Sequence, residues 1–346
     1  MGTIEKQLEF GSEHGFPERK SGEVKTVEPK EEETEGAELY ERSLIFKKLE
    51  KRRERDKTPF VLFSDIDRTF YHEGALDDMQ KLGHGLENAD MGLVLVTGRR
   101  DTNKNLGNLP TPDVLVQAAG SEIYIRTDDG LILDEAYAHK ISERWEREKI
   151  MEYFHAFLEN KKWQERVKLP DQESKWEVVS FFTGTEAKVK AFVSELESHL
   201  LGLSPESKLK VTYWENHNPK PGSFNFFVGI VPENAGKVEA IKHLQESLDI
   251  KDGLVAGDSR IDSDMLLNSG LPAVIVGESR QSLIKEATSS SEPLLFKEVR
   301  ELPEGQWVYF APQRKKSTRG AGGIITALKT GMFSKKDVLE DLVKKL

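Results

Sequence analysis

Cysteine is absent from the 346 residues, which excludes disulfides, thiol nucleophiles and thiolate metal sites together. Any metal must therefore be held by oxygen or imidazole, and only 8 histidines are available. No apolar run approaches the roughly 18 residues of a membrane helix, and Met1 to Phe10 lacks the apolar region of a signal peptide, so a cytoplasmic location is expected. Positive charge is also in deficit. The formal net charge of −10 argues against nonspecific nucleic-acid binding, and the basic clusters at Lys47 to Lys57 and Arg314 to Arg319 read as solvated faces. What remains, 37% hydrophobic and 32% charged residues, is enough for one large domain or two smaller ones with substantial cores.

Residues 1 to about 38 are polar, with an acidic block at Glu31 to Glu35, and too poor in apolar side chains to offset the entropy of ordering. That stretch reads as disordered, and Ala37 to Asp56 as a helix leading into the first core strand. Phe60 to Phe63 is a short continuous apolar run, the signature of a parallel strand covered on both faces. It ends at Ser64-Asp65-Ile66-Asp67-Arg68-Thr69. In an open α/β sheet the ligand crevice lies there, so two carboxylates stand where a divalent cation and a phosphate could meet them. Alone, Asp-x-Asp-x-Thr is weak.

A helix near Leu76 to Ala89 leads to a second apolar strand, Gly92 to Val96, ending at Thr97-Gly98-Arg99. Strands at Val114 to Gln117 and Ser121 to Ile125 follow. Residues 131 to 227 break this rhythm: a charged helix with Trp145, Phe154 and Phe157, a strand at Trp176 to Phe182, a helix at Glu186 to Leu200 and a strand at Leu209 to Trp214. An insertion of that size between two halves of a core reads as a lid or cap. The core is expected to resume at Asn225 to Val231, followed by strands at Gly253 to Ala256 and Ala273 to Val276. A last helix enters at Ser334, where Ser334-x-x-Asp337 approximates a capping box. The expected fold is α/β: a Rossmann-like, doubly wound, mainly parallel core over 58–130 and 228–346, an α+β cap over 131–227, and a segment over 1–57 combining disorder with the lead-in helix.

Asp65-Ile66-Asp67-Arg68-Thr69, Thr97-Gly98-Arg99, Lys237 after Pro232 to Gly236, and Gly257-Asp258-Ser259-Arg260-Ile261-Asp262 resemble, in type and order, the four motifs of the haloacid dehalogenase superfamily of phosphatases. The chemistry explains the residue types. A phosphate monoester is a dianion, so an attacking carboxylate needs nearby cations, and Mg2+ takes hard oxygen ligands. The resemblance implies Asp65 as nucleophile, forming an aspartyl-phosphate, and Asp67 as general acid and base. It implies Thr97, Gly98 and Lys237 as phosphate ligands. Asp65, Asp67 (through its backbone carbonyl), Asp258 and Asp262 would bind magnesium. Asp264 competes with Asp262 and is read instead as a helix N-terminal charge, while Arg99 and Arg100 are read as surface residues.

Over most of residues 58 to 333 the chain is similar to the sucrose-phosphate phosphatase branch. Pro112 to Val116 with Gly120 to Tyr124, the helix containing Trp145-Glu146-Arg147-Glu148, and Tyr309-Phe310-Ala311 with Arg319 to Ile324 carry that similarity. It implies a phosphorylated sugar, sucrose 6-phosphate by default, as substrate. The departures are Arg68 for a small residue, Ile261 for Asn, Gly229 for Asp, Glu278 for Asn, and Val178 where the branch carries a sugar-contacting Lys. They motivate a rival reading: a non-catalytic phosphatase-like partner that docks a glycosyltransferase through the charged N-terminal segment.

Overall fold

The computed structural model describes residues 34–100, 102, 107–143, 145–159, 161–169, 177–203, 208–216, 223–279, 281–288, 298–301, 306–313, 315–330 and 336–346. The acidic block at Glu31 to Glu35 falls mostly outside these residues, as do Arg314 and Ser334.

Thirteen strands are described: β1 Val61–Asp65, β2 Gly92–Val96, β3 Val114–Gln117, β4 Glu122–Thr127, β5 Gly130–Leu133, β6 Val167–Lys168, β7 Val178–Phe182, β8 Leu209–Glu215, β9 Phe226–Pro232, β10 Gly253–Gly257, β11 Ala273–Ile275, β12 Glu298–Glu301 and β13 Trp307–Phe310. Nine form one sheet in the order β12-β13-β11-β10-β1-β2-β3-β4-β5. From β13 to β3 the pairing is parallel; β12, β4 and β5 are antiparallel additions at the edges.

The central strands are buried along their whole length, which is why they read as unbroken apolar runs rather than alternations. Period-2 geometry sends Val61 and Phe63 into the apolar layer on one face and Phe60 and Leu62 into the layer on the other. Each such buried side chain contributes about 1.5–3 kcal/mol of transfer free energy. Strand order reverses at β1, which lies between β10 and β2. Such a switch point opens a crevice at the strands' carboxyl ends, and there β1 delivers Asp65.

The N-terminal expectation changes. Two helices, Thr34–Arg42 and Leu44–Arg53, replace one lead-in helix, so ordered structure begins within the stretch read as disordered. Tyr40, Ile45 and Leu49 join the main apolar layer. Buried Arg52 donates to the carbonyls of Thr58 and Ala89, both at 2.8 Å. Lys48 reaches buried Asp113 at 2.8 Å, while Lys47, Lys51 and Arg55 pair with Asp128 and Asp90. The basic cluster is thus a row of ion pairs, of which the one to Asp113 is buried and the one to Asp128 exposed. Tyr40, Asp134 and His243 meet beneath it: His243 Nε2 lies 3.0 Å from both the Tyr40 hydroxyl and Asp134 Oδ2.

β6, β7, β9 and β8 form a separate four-stranded antiparallel sheet, backed by an apolar cluster that includes Phe154, Phe192 and Leu196. Two boundaries move. Phe226–Pro232, expected to restart the core, pairs with β7 and β8; the run Phe-Phe-Val-Gly-Ile-Val is as apolar as a buried parallel strand because it is central in its own sheet. Conversely, β5 extends the main sheet, and the helix Glu135–Ser142 packs Tyr137 and Ile141 into the main layer. No described helix is long and apolar enough to cross a membrane.

Candidate active site

Asp65 is the last residue of β1 and 5% exposed. Lys237 opens the helix Lys237–Ser247 and is 4% exposed. Its ammonium lies 2.7 Å from Asp65 Oδ1 and 2.7 Å from Asp262 Oδ1. Lys237 therefore arrives on a helix that returns from the second sheet rather than from the end of a core strand.

After β10 the chain turns sharply through Asp258 and a single 3-10 turn, Arg260–Asp262. Gly257 permits this: a β-carbon there would lie 2.6 Å from that of Asp262. Asp262 Oδ2 accepts from the backbone N–H groups of Asp258 (3.2 Å) and Ser259 (3.0 Å) and from the Ser259 hydroxyl (2.8 Å). With Lys237 on its other oxygen, Asp262 is well supplied with donors, and it fixes the ammonium against the loop. Asp264 is exposed and accepts from Asn268 at 2.6 Å, consistent with its place in the first turn of Ser263–Asn268.

Carboxylate oxygens of Asp65, Asp258 and Asp262 lie within 4.8 Å of one another, all three residues buried. Three buried carboxylates against the Lys237 ammonium and, beside Asp258, the Arg68 guanidinium still leave an excess of negative charge largely out of contact with water, a costly arrangement. Burial and the charges of Asp262, Asp258 and Asp67 push the Asp65 carboxyl well above its ordinary range, against the pull of Lys237. Burial alone would lower the Lys237 ammonium, but Asp262 and Asp65 outweigh it and hold it cationic far above neutrality. A hard-oxygen donor set with unbalanced negative charge fits a divalent cation such as magnesium.

Asp67 is not in that cluster by its side chain. It points toward the mouth of the crevice, where Arg99 donates to both of its oxygens, Nε at 2.7 Å. Thr97 follows β2 and is 1% exposed. Its hydroxyl oxygen accepts from the Arg99 N–H at 3.0 Å, leaving the hydroxyl proton to donate. Gly98 lies beside Ile261: a β-carbon there would be 3.6 Å from Ile261 Cδ1.

Arg99 is exposed, as expected, though paired with Asp67; Arg100 is largely buried. Arg100 forms an ion pair with Glu177, whose side chain is 1% exposed, joining the two sheets. Arg68 has φ of 64°, in the left-handed region where a bulky side chain costs energy and where the branch's small residue is at ease. Its guanidinium donates to the Glu278 carbonyl at 3.3 Å and lies 3.6 Å from Asp258 Oδ2. Glu278 is left-handed as well, φ 67°, and its carboxylate meets His72 and Arg319. These two departures are therefore coupled in space.

The sucrose-6F-phosphate phosphohydrolase family profile matches residues 58–302, more than two thirds of the chain, including β1, Thr97, Lys237 and the Asp258–Asp262 loop. The chain belongs to this family. The sucrose-6F-phosphate phosphohydrolase family is a branch of the haloacid dehalogenase superfamily phosphatases. Probable sucrose-phosphatase 3a of Arabidopsis thaliana is 27% identical over 220 residues, 60% of this chain and 47% of that protein, so the match spans about half of that relative's length. The sucrose-phosphatase structure from Synechocystis sp. PCC6803, in complex with sucrose and phosphate, covers 80% of this chain and 99% of its own, with TM-score 0.57 at 20% identity. SMU.1108c from Streptococcus mutans UA159 covers 79% and 100%, with TM-score 0.51 at 12% identity. These two likenesses are of fold.

Val178 is 3% exposed inside the apolar cluster of the second sheet, so its side chain points away from the crevice. Its neighbours Glu177 and Val179 take the opposite face, since side chains alternate along a strand.

Proposed function

We propose that this protein is a magnesium-dependent phosphatase that hydrolyses a sugar phosphate, sucrose 6-phosphate or a related glycosyl phosphate, through an aspartyl-phosphate on Asp65. The observation that carries the reading is the buried Asp65, Lys237, Asp258 and Asp262 cluster at the switch point of the sheet. Asp65 supplies the attacking oxygen, and Lys237, held by Asp262, presents a fixed positive charge to the phosphoryl group as its charge redistributes. Thr97 donates its hydroxyl proton to a phosphoryl oxygen, and Gly98, next along the chain, would offer its backbone to the same group. Asp65 and Asp258 supply the most direct oxygens for magnesium, with Asp262 and the Asp67 backbone carbonyl completing the set. When bound, the ion offsets the repulsion between the carboxylates and a dianionic substrate.

Asp67 stands at the crevice mouth, 30% exposed at its side chain, where a departing sugar oxygen would take a proton and a water would later surrender one. That exchange requires the Arg99 pair to open, and Arg99 is exposed enough to swing. The second sheet with its helices acts as the cap. It is fastened to the main body by Arg100 with Glu177, by Lys210 with Glu239 at 3.1 Å, and by Arg260 with Tyr213 and Glu186, so it can exclude water during turnover.

The test is phosphate release from a panel of phosphorylated mono- and disaccharides, with and without magnesium. Metal-dependent release from at least one sugar phosphate is expected. A folded protein that releases phosphate from none, with or without metal, would refute the reading.

A further inference from the structure

The face of the four-stranded sheet that looks toward the main body can be identified residue by residue. Glu177 and Lys210 stand on it and reach Arg100 and Glu239 of the main body, and Val231 packs into the main apolar layer. Strand alternation and pairing place Val179, Phe181, Thr212, Trp214, Phe227 and Gly229 on the same face. The opposite face fills the cluster around Phe154, Phe192 and Leu196.

The part of this face beyond the docked end is half-buried and aromatic. Trp214 and Phe227 are stacked, with centroids 5.5 Å apart and planes at 12°; Phe227 meets Phe181 edge-on at 5.7 Å, and Phe181 stacks on Phe224 at 4.2 Å and 15°. Gly229 lies under the indole: a β-carbon there would fall 3.0 Å from Trp214 Cζ3. The residue expected as Asp by family pattern is thus a glycine that lets a ring lie flat. Trp214 also borders a narrow cleft whose opposite wall is Ser259, Arg260 and Ile261. Those residues belong to the loop that carries Asp258 and Asp262. Ile261 takes the place of an expected Asn, so two departures from the family pattern both make the neighbourhood of this ring less polar.

Resting on the phosphatase reading above, we infer that Trp214 and Phe227 form an aromatic shelf against which the leaving group lies by the apolar C–H face of a sugar ring. A pyranose offers one apolar face and a hydroxyl rim. The shelf suits the face; Thr212, Ser259 and Arg260 suit the rim. The cap therefore selects ring-form sugar phosphates through stacking more than through a charged sugar contact. Small acyclic phosphates would reach Asp65 without touching the shelf.

The experiment compares Trp214→Ala and Trp214→Phe with the unaltered chain on two substrates: the sugar phosphate turned over best in the panel, and acetyl phosphate. Losing one stacking surface should lower kcat/KM for the sugar phosphate about tenfold in Trp214→Ala, chiefly through KM. Acetyl phosphate turnover should stay within about twofold, and Trp214→Phe should keep most of the sugar-phosphate activity. In the Asp65→Asn protein, titration with the sugar phosphate should change tryptophan fluorescence, and adding Trp214→Phe should remove most of that change. Equal losses on both substrates, or no loss on either, would overturn the shelf while leaving the phosphatase reading intact. An unaltered chain inactive on every phosphate would overturn the phosphatase reading itself.

Discussion

Replacing Lys237 with Met keeps most of the side-chain volume and removes the charge. In the native site one ammonium meets two carboxylates at 2.7 Å, with all three side chains at most 7% exposed. At an effective dielectric of ~20 each contact carries on the order of 6 kcal/mol of Coulomb attraction, set against the desolvation of the ions. Breaking a buried pair by deleting one partner costs about 3–5 kcal/mol, because the other charge is left buried and uncompensated. With an m-value near ~3 kcal/mol/M, the urea midpoint should fall by about 1–1.7 M. In an Asp65→Asn background the same replacement should cost less by about 1 kcal/mol or more, since only Asp262 is then stranded and it keeps its Asp258, Ser259 and hydroxyl donors. Asp65→Asn alone should cost little in metal-free buffer, because it removes one carboxylate from a crowded site. Phosphate release should drop at least about a hundredfold in Lys237→Met. Urea melts of the four proteins in the cycle decide the matter: a Lys237→Met protein as stable as the parent, or strictly additive effects, would refute the charge balance assigned to this site.

Three further outcomes are expected. Asp134 is buried, which alone would raise its pKa, but hydrogen bonds from His243 and Tyr40 outweigh burial and hold it below its usual range. Its contribution is therefore present above the unfolded carboxyl value near ~4 and lost as pH falls through the lower folded value; Asp134→Asn should lower stability at neutral pH and flatten the acid limb of a urea-midpoint profile. Arg68→Gly should relieve left-handed strain of about 1 kcal/mol and remove a guanidinium 3.6 Å from Asp258, lowering the magnesium concentration needed for half-maximal phosphate release. Gly229→Ala should displace the Trp214 ring, visible as a shift in tryptophan emission, because its β-carbon would fall 3.0 Å from the indole.

Much of the fold was legible because buried parallel strands announce themselves as apolar runs, and their ends were marked by Asp65, Thr97 and Asp258. The structure brings Asp65, Lys237 and the Asp258–Asp262 loop together from three separate stretches of chain. Phe226–Pro232 was misplaced for the same reason the others were found: an apolar run does not say which sheet it joins or in which direction. Val178 faces the apolar cluster and its neighbours the crevice, a difference of one residue along β7 that composition does not reveal. The basic cluster at Lys47 to Lys57 read as a solvated face because its charges dominate the composition, yet Arg52 and Lys48 are anchored by carbonyls and a carboxylate that only the folded core presents. Arg99 and Arg100 gave no signal in isolation; their partners, Asp67 and Glu177, lie 32 and 77 residues away. The aromatic shelf and the Phe181 beside it are scattered over three strands, and they share a face only after β7, β8 and β9 pair.

The most direct test of the central claim is trapping the phosphoryl group on the protein. The enzyme, loaded with magnesium and a sugar phosphate labelled on phosphorus, is quenched in acid during turnover and digested, and the labelled peptide is identified. Label on the peptide containing Asp65, labile to base and absent from Asp65→Asn, is the predicted result. Turnover with no label on Asp65, or turnover that persists at the parental rate in Asp65→Asn, would contradict it.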